Sequence, residues 1–417
     1  MTKFSLTINI SYNSIRYEDN TISLRTTQTE TVARLILYCL VLFLIFLKRF
    51  NMEKKSYYLA ISKIKGIGPT RFELLLSYFG DAKKAWEADA SEWSMALGGY
   101  NNISEEFVKV RGEMDILKYH EFVLSKGINY ITIEDFDYPS LLKQIHDPPP
   151  VLFYRGELKK HKLNIAIVGS RKCSHYGKEV AKYLSIKLAE KGINVVSGMA
   201  RGIDSHAHLG ALSAGGYTTA VLGSGLDVIY PPENVGMYNR IVQTGLVISE
   251  YHPGVSPEAG NFPARNRIIS GLSQGVIVIE AAAKSGSLIT VDFALEQGRD
   301  VFAVPGNITS KNSKGTNNLI KQGAKIITDV DSILEEYIEN WNIEKSPSLK
   351  RVNNNLCLTQ QEELVLNSLD NEPTEIDVLC EKTGLKADEL NSLLTLLELK
   401  GLISHIFGKR IVKSSFQ

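Results

Sequence analysis

Four arginines sit where short apolar runs end. Arg171 follows Ile165-Ala166-Ile167-Val168-Gly169-Ser170, and Arg201 lies between Val195-Val196-Ser197-Gly198-Met199-Ala200 and Gly202-Ile203-Asp204. Arg265 and Arg267 flank Asn266 after Phe262-Pro263-Ala264. A guanidinium forks onto a phosphate, glycine lets a ligand approach the backbone, and the amides of a helix N-terminus favour anions. Gly169, Ser170, Arg171, Gly198, Arg201, Gly202, Arg265, Asn266 and Arg267 are therefore the candidate contacts to a phosphate-bearing ligand. Lys284, Ser285, Gly286 and Ser287 finish the rim, where amides and hydroxyls line an anion-binding concavity. Three of the arginines also have a structural alternative. Arg171 can bridge to a neighbouring loop, and Arg265 and Arg267 can pair with Glu250 or Glu280. Asp204 reads as the cap of the next helix, and Asn266 as the start of another.

Catalytic chemistry is less visible. His206 and His208 stand two apart on a helical pattern and do not share a face, and the sequence has no metal-ligand cluster. Gly169 and Gly177 alone do not make a dinucleotide fingerprint. The chain carries no phosphate-loop motif, and Ser224 has no nucleophile spacing with His or Asp. Binding without a metal, a cofactor or a catalytic residue is the expectation.

The elements that must hold these residues alternate. Strands are expected at Ile165–Val168, Asn194–Ser197, Thr219–Leu222, Leu246–Ser249, Gly275–Ile279 and Val301–Val304. Helices are expected at Gly177–Lys191, Ser205–Ala214, Asn266–Gly271 and Ser287–Gly298. Such alternation predicts an α/β fold, a Rossmann-like doubly wound and mostly parallel sheet covered on both faces. In such sheets ligands bind beyond the carboxyl ends of the strands, where the arginines fall.

The chain has 417 residues, a formal net charge of +1 and 44% hydrophobic residues, room for two or three domains. The whole-chain charge hides a split. Residues 161–330 hold 17 Lys and Arg against 12 Asp and Glu, whereas residues 356–417 hold 6 against 10. A polyanion site belongs in the middle. Cys39, Cys173, Cys357 and Cys380 are scattered, which suggests a reducing compartment.

Residues 1–51 read as a disordered or mis-assigned N-terminal extension. Their apolar run Leu35–Leu47 is 13 residues long, short of the about 18 that a membrane span needs, and Met52 heads an independent start. Residues 52–127 read as a small helical domain like a sterile-alpha-motif (SAM) or helix-hairpin-helix unit. There Gly66 and Gly68 are possible DNA contacts or simply a tight turn between helices, and Trp86 and Trp93 fill a small core. Prolines at 139 and 148–150 break any helix in the junction, and Val151–Gly156 is an entry strand. Residues 128–340 read as the central Rossmann-like domain that carries the polyanion-binding rim, 341–355 as a linker, and 356–417 as a winged helix. The last comprises helices Thr359–Leu369, Glu375–Thr383 and Lys386–Lys400 and a hairpin around Gly408, with a Thr359/Glu362 capping box.

Read in order, these segments resemble the DprA/Smf family of bacterial DNA-processing proteins over about residues 53–415. The densest matches are Val168–Arg171, Ser197–Asp204, Gly223–Asp227, Tyr230-Pro231, Phe262–Gly271, Lys284–Thr290 and Gly298–Gly306. The resemblance implies a cytoplasmic, non-catalytic single-stranded DNA-binding protein that protects incoming strands and loads the RecA recombinase onto them in natural transformation. It also implies a homodimer built through the central domain, with Arg171 as the strand-binding arginine. Two lysine positions of some members are Pro232 and the non-basic surroundings of Ala259 here, so the cationic groove draws on Arg201, Arg265, Arg267 and Lys284 instead. The expected recognition helix carries Asp388, Glu389 and Glu398, which suits a protein partner or the central domain rather than phosphate.

Two other functions compete. A nucleotide-hydrolysing enzyme on a related sheet would use the same rim and Glu280, yet its compact glycine motif is interrupted between Pro305-Gly306 and Gly315-Thr316. A membrane-tethered scaffold would use Leu35–Leu47, and a membrane role is the weaker expectation.

Overall fold

The computed structural model describes residues 52–99, 101–337, 358–369, 374–400, 402–406 and 410–413. The N-terminal extension with Leu35–Leu47, the linker, Cys39, Cys357 and Gly408 lie outside the described residues. The chain falls into two units, Met1–Ser56 and Tyr57–Gln417; what is described of the first, residues 52–56, is helical.

Nine strands form the central sheet of the second unit. They are β1 (Asn129–Thr132), β2 (Val151–Gly156), β3 (Asn164–Val168), β4 (Asn194–Ser197), β5 (Thr218–Val221), β6 (Leu246–Ser249), β7 (Gly275–Val278), β8 (Asp300–Ala303) and β9 (Lys325–Ile326). Their spatial order is β1-β2-β6-β5-β4-β3-β7-β8-β9. From β6 to β9 every neighbouring pair is parallel, whereas β2 runs antiparallel to both β1 and β6. The chain winds outward from β3 to β6, returns to lay β7 beside β3, and winds the other way. The topological switch point therefore lies between β3 and β7, where a doubly wound sheet opens a crevice.

Alternation along the strands feeds two cores. Ile165, Ile167, Val195 and Ile277 pack under the helices His175–Glu190 and Ile203–Ser213. Ala166, Val168, Val196, Val276 and Val278 pack on the opposite face with Ile268, Ile269, Val291 and Ala294 of helices Asn261–Gly271 and Gly286–Glu296. The period of two sends neighbours to opposite faces. Both faces are covered, so the strands are mostly apolar on both sides, and each fully buried Ile or Val contributes about 1.5–3 kcal/mol.

The expected strands and helices are present, with ends that differ by a few residues at most save one. The helix expected to start at Asn266 starts at Asn261, so Pro263 sits inside its first turn, where a missing N–H costs nothing. The junction also differs. Pro139 precedes a one-turn helix, Ser140–Lys143, instead of excluding one, and β1 forms the sheet edge. In the helical region, residues 57–62 and Pro69–Phe79 are joined by a tight turn with Gly66 at φ +93°. The Gly66 carbonyl accepts from Arg71 Nη1 at 2.7 Å. Trp93 stacks on Phe107 at 3.9 Å, Trp86 meets the same ring edge-on, and both indoles are buried. This core continues into residues of β2 and β6, among them Val151, Phe153 and Val247.

The winged helix has helices Gln360–Ser368, Ile376–Thr383 and Ala387–Leu399. Strands β10 (Thr374–Glu375), β11 (Ile403–Ile406) and β12 (Arg410–Lys413) pair in the order β10-β12-β11. The capping box is formed: the Thr359 N–H donates to Glu362 at 2.8 Å and the Glu362 N–H to Thr359 Oγ1 at 3.3 Å. Among the described residues no helix is long and apolar enough to cross a membrane.

Candidate nucleic-acid interface

A cavity of about 850 Å³ opens at the switch point. Its walls come from the carboxyl ends of β3 (Gly169, Ser170, Arg171, Lys172), β4 (Ala200, Asp204) and β7 (Ala282, Ser285, Gly286, Ser287). Tyr230, Phe262, Arg265, Asn266 and Asn312 complete it.

The Ser170 peptide is pinned from both sides. Its N–H donates to the Glu280 carbonyl at 2.8 Å, and its carbonyl accepts from the Ile203 N–H at 3.2 Å. Gly202 makes the second contact possible. Its φ is +79°, and a Cβ there would lie 2.3 Å from the Ser170 oxygen. Gly202 is thus a packing residue and the cap of helix Ile203–Ser213. Asp204 is not that cap, because the helix has already begun. It lies buried in the first turn, and its carboxylate accepts from the backbone amides of Ala200, at 3.3 Å, and Gly198. Burial pushes its pKa up to about 6, against the attraction of Arg265 and Arg171.

The four arginines part company. Arg171 is exposed and lies over the Phe262 ring at 5.1 Å, a cation–π contact. Arg201 is exposed but committed: its Nε and Nη2 bind both carboxylate oxygens of Glu233. It also sits 5.9 Å over Tyr230. Arg265 is 3% exposed and spends Nη1 on the carbonyls of Gly198 and Val221. Its guanidinium presses on Gly198, where a Cβ would come within 2.6 Å. Burial lowers its pKa to about 10. Arg267 turns away from the cavity. It is 4% exposed and binds Glu250 at 2.6 Å and Asp147 at 2.9 Å. The structure therefore takes Arg267 out of the groove and gives it the structural role, with Glu250 as partner; helical geometry sends positions 265 and 267 to different sides.

Asn266 stays at the cavity. Its Oδ1 accepts from Arg265 Nε and its Nδ2 donates to the Gly286 carbonyl, both at 3.3 Å. Ser285 caps helix Gly286–Glu296 by accepting from the Ser287 N–H at 3.3 Å. Lys284 is exposed beside the lining residues without being one of them. Gly66 and Gly68 lie in the helical region and do not line the cavity. His208 is buried, 2.7 Å from Thr218 Oγ1, and the described residues include no metal-binding cluster.

Sequence reasoning passed over Lys172, Tyr230, Phe262 and Asn312. The two aromatic rings lie 5.6 Å apart, and with Arg171 and Arg201 they form a cation–ring–ring–cation row. Aromatics interleaved with arginines suit a single-stranded nucleic acid, whose bases have faces to stack. The signal in the sequence was Phe262 directly before Pro263-Ala264-Arg265 and Tyr230 within the same rim.

The chain is similar to known proteins over most of its length. The family model described as DNA recombination-mediator protein A matches residues 129–338, and that of the DprA winged helix domain matches residues 354–409. Protein Smf of Synechocystis sp. is 34% identical over 391 residues, 86% of this chain and 98% of that protein. DNA processing protein DprA of Streptococcus pneumoniae is 50% identical over 208 residues, 49% of this chain and 73% of that protein. The X-ray structure of DprA from Streptococcus pneumoniae superposes with a TM-score of 0.61 at 38% identity, covering 67% of this chain and 97% of that one.

Proposed function

Since the chain belongs to the DNA recombination-mediator protein A family, we propose that it binds single-stranded DNA at the β3/β7 crevice without cutting it. The observation that carries this reading is Arg171, exposed on a pinned loop and lying over Phe262 at the mouth of the cavity. The guanidinium meets a phosphate while the Phe262 and Tyr230 rings meet bases. Gly169, Ser170, Asn266, Ser285, Gly286 and Ser287 line the same space and offer small polar groups to the backbone. Arg265, Gly198 and Gly202 support the loops, and Arg201 and Lys284 join from the rim.

In the finer reading the protein protects incoming strands in natural transformation and loads RecA onto them as a cytoplasmic homodimer joined through the central domain. The family resemblance supports this part. The acidic helix Ala387–Leu399 serves a protein contact. Nucleotide hydrolysis is disfavoured by Glu280, which is buried and bound by the Ser174 N–H at 2.8 Å and Ser174 Oγ at 2.5 Å.

The test is a gel-shift series on single and double strands with wild type and Arg171→Ala. Salt-sensitive, single-strand-selective binding lost in the variant is expected. Equal binding by both proteins would reject the site.

A further inference from the structure

The aromatic rings of the cavity and the lysines beside it lie on opposite sides of the switch point. Tyr230 and Phe262 follow β5 and β6, whereas Lys284 and the segment Lys311–Lys314 follow β7 and β8. Lys172 stands between them at the end of β3. We infer that a bound single strand leaves the pocket toward β8 along a track formed by Lys172, Lys284, Lys311 and Lys314. The inference rests on the pocket being a single-strand site and adds the direction and extent of the ligand.

The supply of charge comes first. Of the arginines near the rim, Arg201 is taken by Glu233, Arg267 by Glu250 and Asp147, and Arg265 by loop carbonyls. That leaves Arg171. The four lysines are exposed, and none has an acidic partner within ion-pair distance among the described residues. A cation with no carboxylate beside it gains most from a phosphate and releases its share of condensed counterions on binding.

Placement comes second. Three backbone segments are locked side by side. Asn312 Nδ2 donates to the Lys172 carbonyl at 3.1 Å. The Ala281 N–H donates to the Asn312 carbonyl at 2.7 Å, and the Gly315 N–H returns a bond to the Ala281 carbonyl at 2.7 Å. A Cβ at Gly315 would lie 2.6 Å from that Ala281 oxygen, so the approach depends on glycine. Asn312 and Ala282 line the cavity; Lys284, Lys311 and Lys314 are one or two residues from these anchors, and Lys172 is itself one of them. Long, mobile side chains thus rise from a fixed base at the pocket edge. Such a base tracks a phosphate chain without reading its sequence.

The experiment measures oligothymidylates of two lengths, about four and about twenty nucleotides, by fluorescence anisotropy across a salt series. Wild type is compared with Lys311→Gln/Lys314→Gln, with Arg171→Ala, and with Lys321→Gln as a surface control at the far end of helix Lys314–Lys321. Melting curves confirm that each variant is folded. The double variant should bind the long strand roughly tenfold more weakly, with a salt slope smaller by about 0.7 per lysine, and bind the short one as wild type does. Unchanged long-strand affinity and slope, or an equal loss at both lengths, overturns the track while leaving the pocket standing. Failure of wild type to bind either length, or retention of both by Arg171→Ala, instead overturns the pocket reading beneath it.

Discussion

Arg265 Nη1 donates to the Gly198 carbonyl at 2.6 Å and also reaches the carbonyl of Val221. One buried guanidinium thereby fastens the ends of β4 and β5 to helix Asn261–Gly271. Asp204 lies in the same buried environment, and the attraction between the two is the main favourable charge interaction of each. Removing the side chain leaves two carbonyls and a carboxylate without their cation. Arg265→Ala should cost about 2–5 kcal/mol of stability. Arg265→Lys should restore only part, because an ammonium cannot reproduce the fork. Urea midpoints check this. Variants as stable as wild type would assign Arg265 to ligand rather than to scaffold.

Arg267 gives a sharper separation of roles. Its partners Glu250 and Asp147 tie helix Asn261–Gly271 to the end of β6 and to the proline-rich junction. Burial raises the Glu250 carboxyl, and Arg267 works against that rise. Arg267→Met should cost about 3–5 kcal/mol by stranding a buried carboxylate, and Arg267→Met/Glu250→Gln should recover part of it. The folded fraction should bind single strands as tightly as wild type does. A loss of affinity beyond the loss of folded protein would return Arg267 to the groove.

These two arginines show how far the sequence could be read. The strand–helix alternation and the position of the rim were legible because period-two and period-3.6 patterns dictate which face is apolar. Ile165/Ile167 and Ala166/Val168 feed opposite cores as that rule requires. The destination of each guanidinium was not legible. It depended on where helix Asn261–Gly271 begins, and a start five residues before Asn266 rotates positions 265 and 267 onto different surroundings. Asp204 was misplaced for the same reason, since its helix begins two residues before the expected Ser205. Partners distant in sequence, such as Glu233 for Arg201, become visible only once β4 and β5 lie side by side.

Glu233 holds Arg201 beside Tyr230 at the rim. Both side chains are exposed, so their separation should leave stability nearly unchanged. Glu233→Gln frees a guanidinium and deletes a negative charge, and single-strand affinity should rise severalfold at low salt, with a steeper salt slope. Glu233→Gln/Arg201→Ala should cancel the gain. Anisotropy titrations at two salt concentrations check this; an unchanged affinity in the single variant would place Arg201 out of the strand's reach.

Acid should loosen the helical region through His252. Its Nε2 lies 3.0 Å from Ser62 Oγ and its Nδ1 2.9 Å from the Tyr119 hydroxyl, so one buried ring joins two helices to the end of β6. Burial, and then the charge of Lys63, pushes its pKa down from 6.5 to about 3. Between those values the unfolded chain binds more protons than the native one. The contribution of His252 is therefore complete above pH 6.5 and is lost as pH falls toward 3, at about 1.4 kcal/mol per pH unit. His208, likewise lowered to about 3 by burial, adds a second increment of the same sign. Asp204 opposes them: raised from 3.8 to about 6, its contribution is full below the lower value and fades by the upper. His252→Gln keeps a polar group between Ser62 and Tyr119 but removes the titration. Urea unfolding from pH 4.5 to 7.5 should give a slope of stability against pH smaller than that of wild type by about one proton well below pH 6.5, and the same slope above it. Equal slopes in the two proteins would mean that His252 is already protonated, or remains solvated, in the native state.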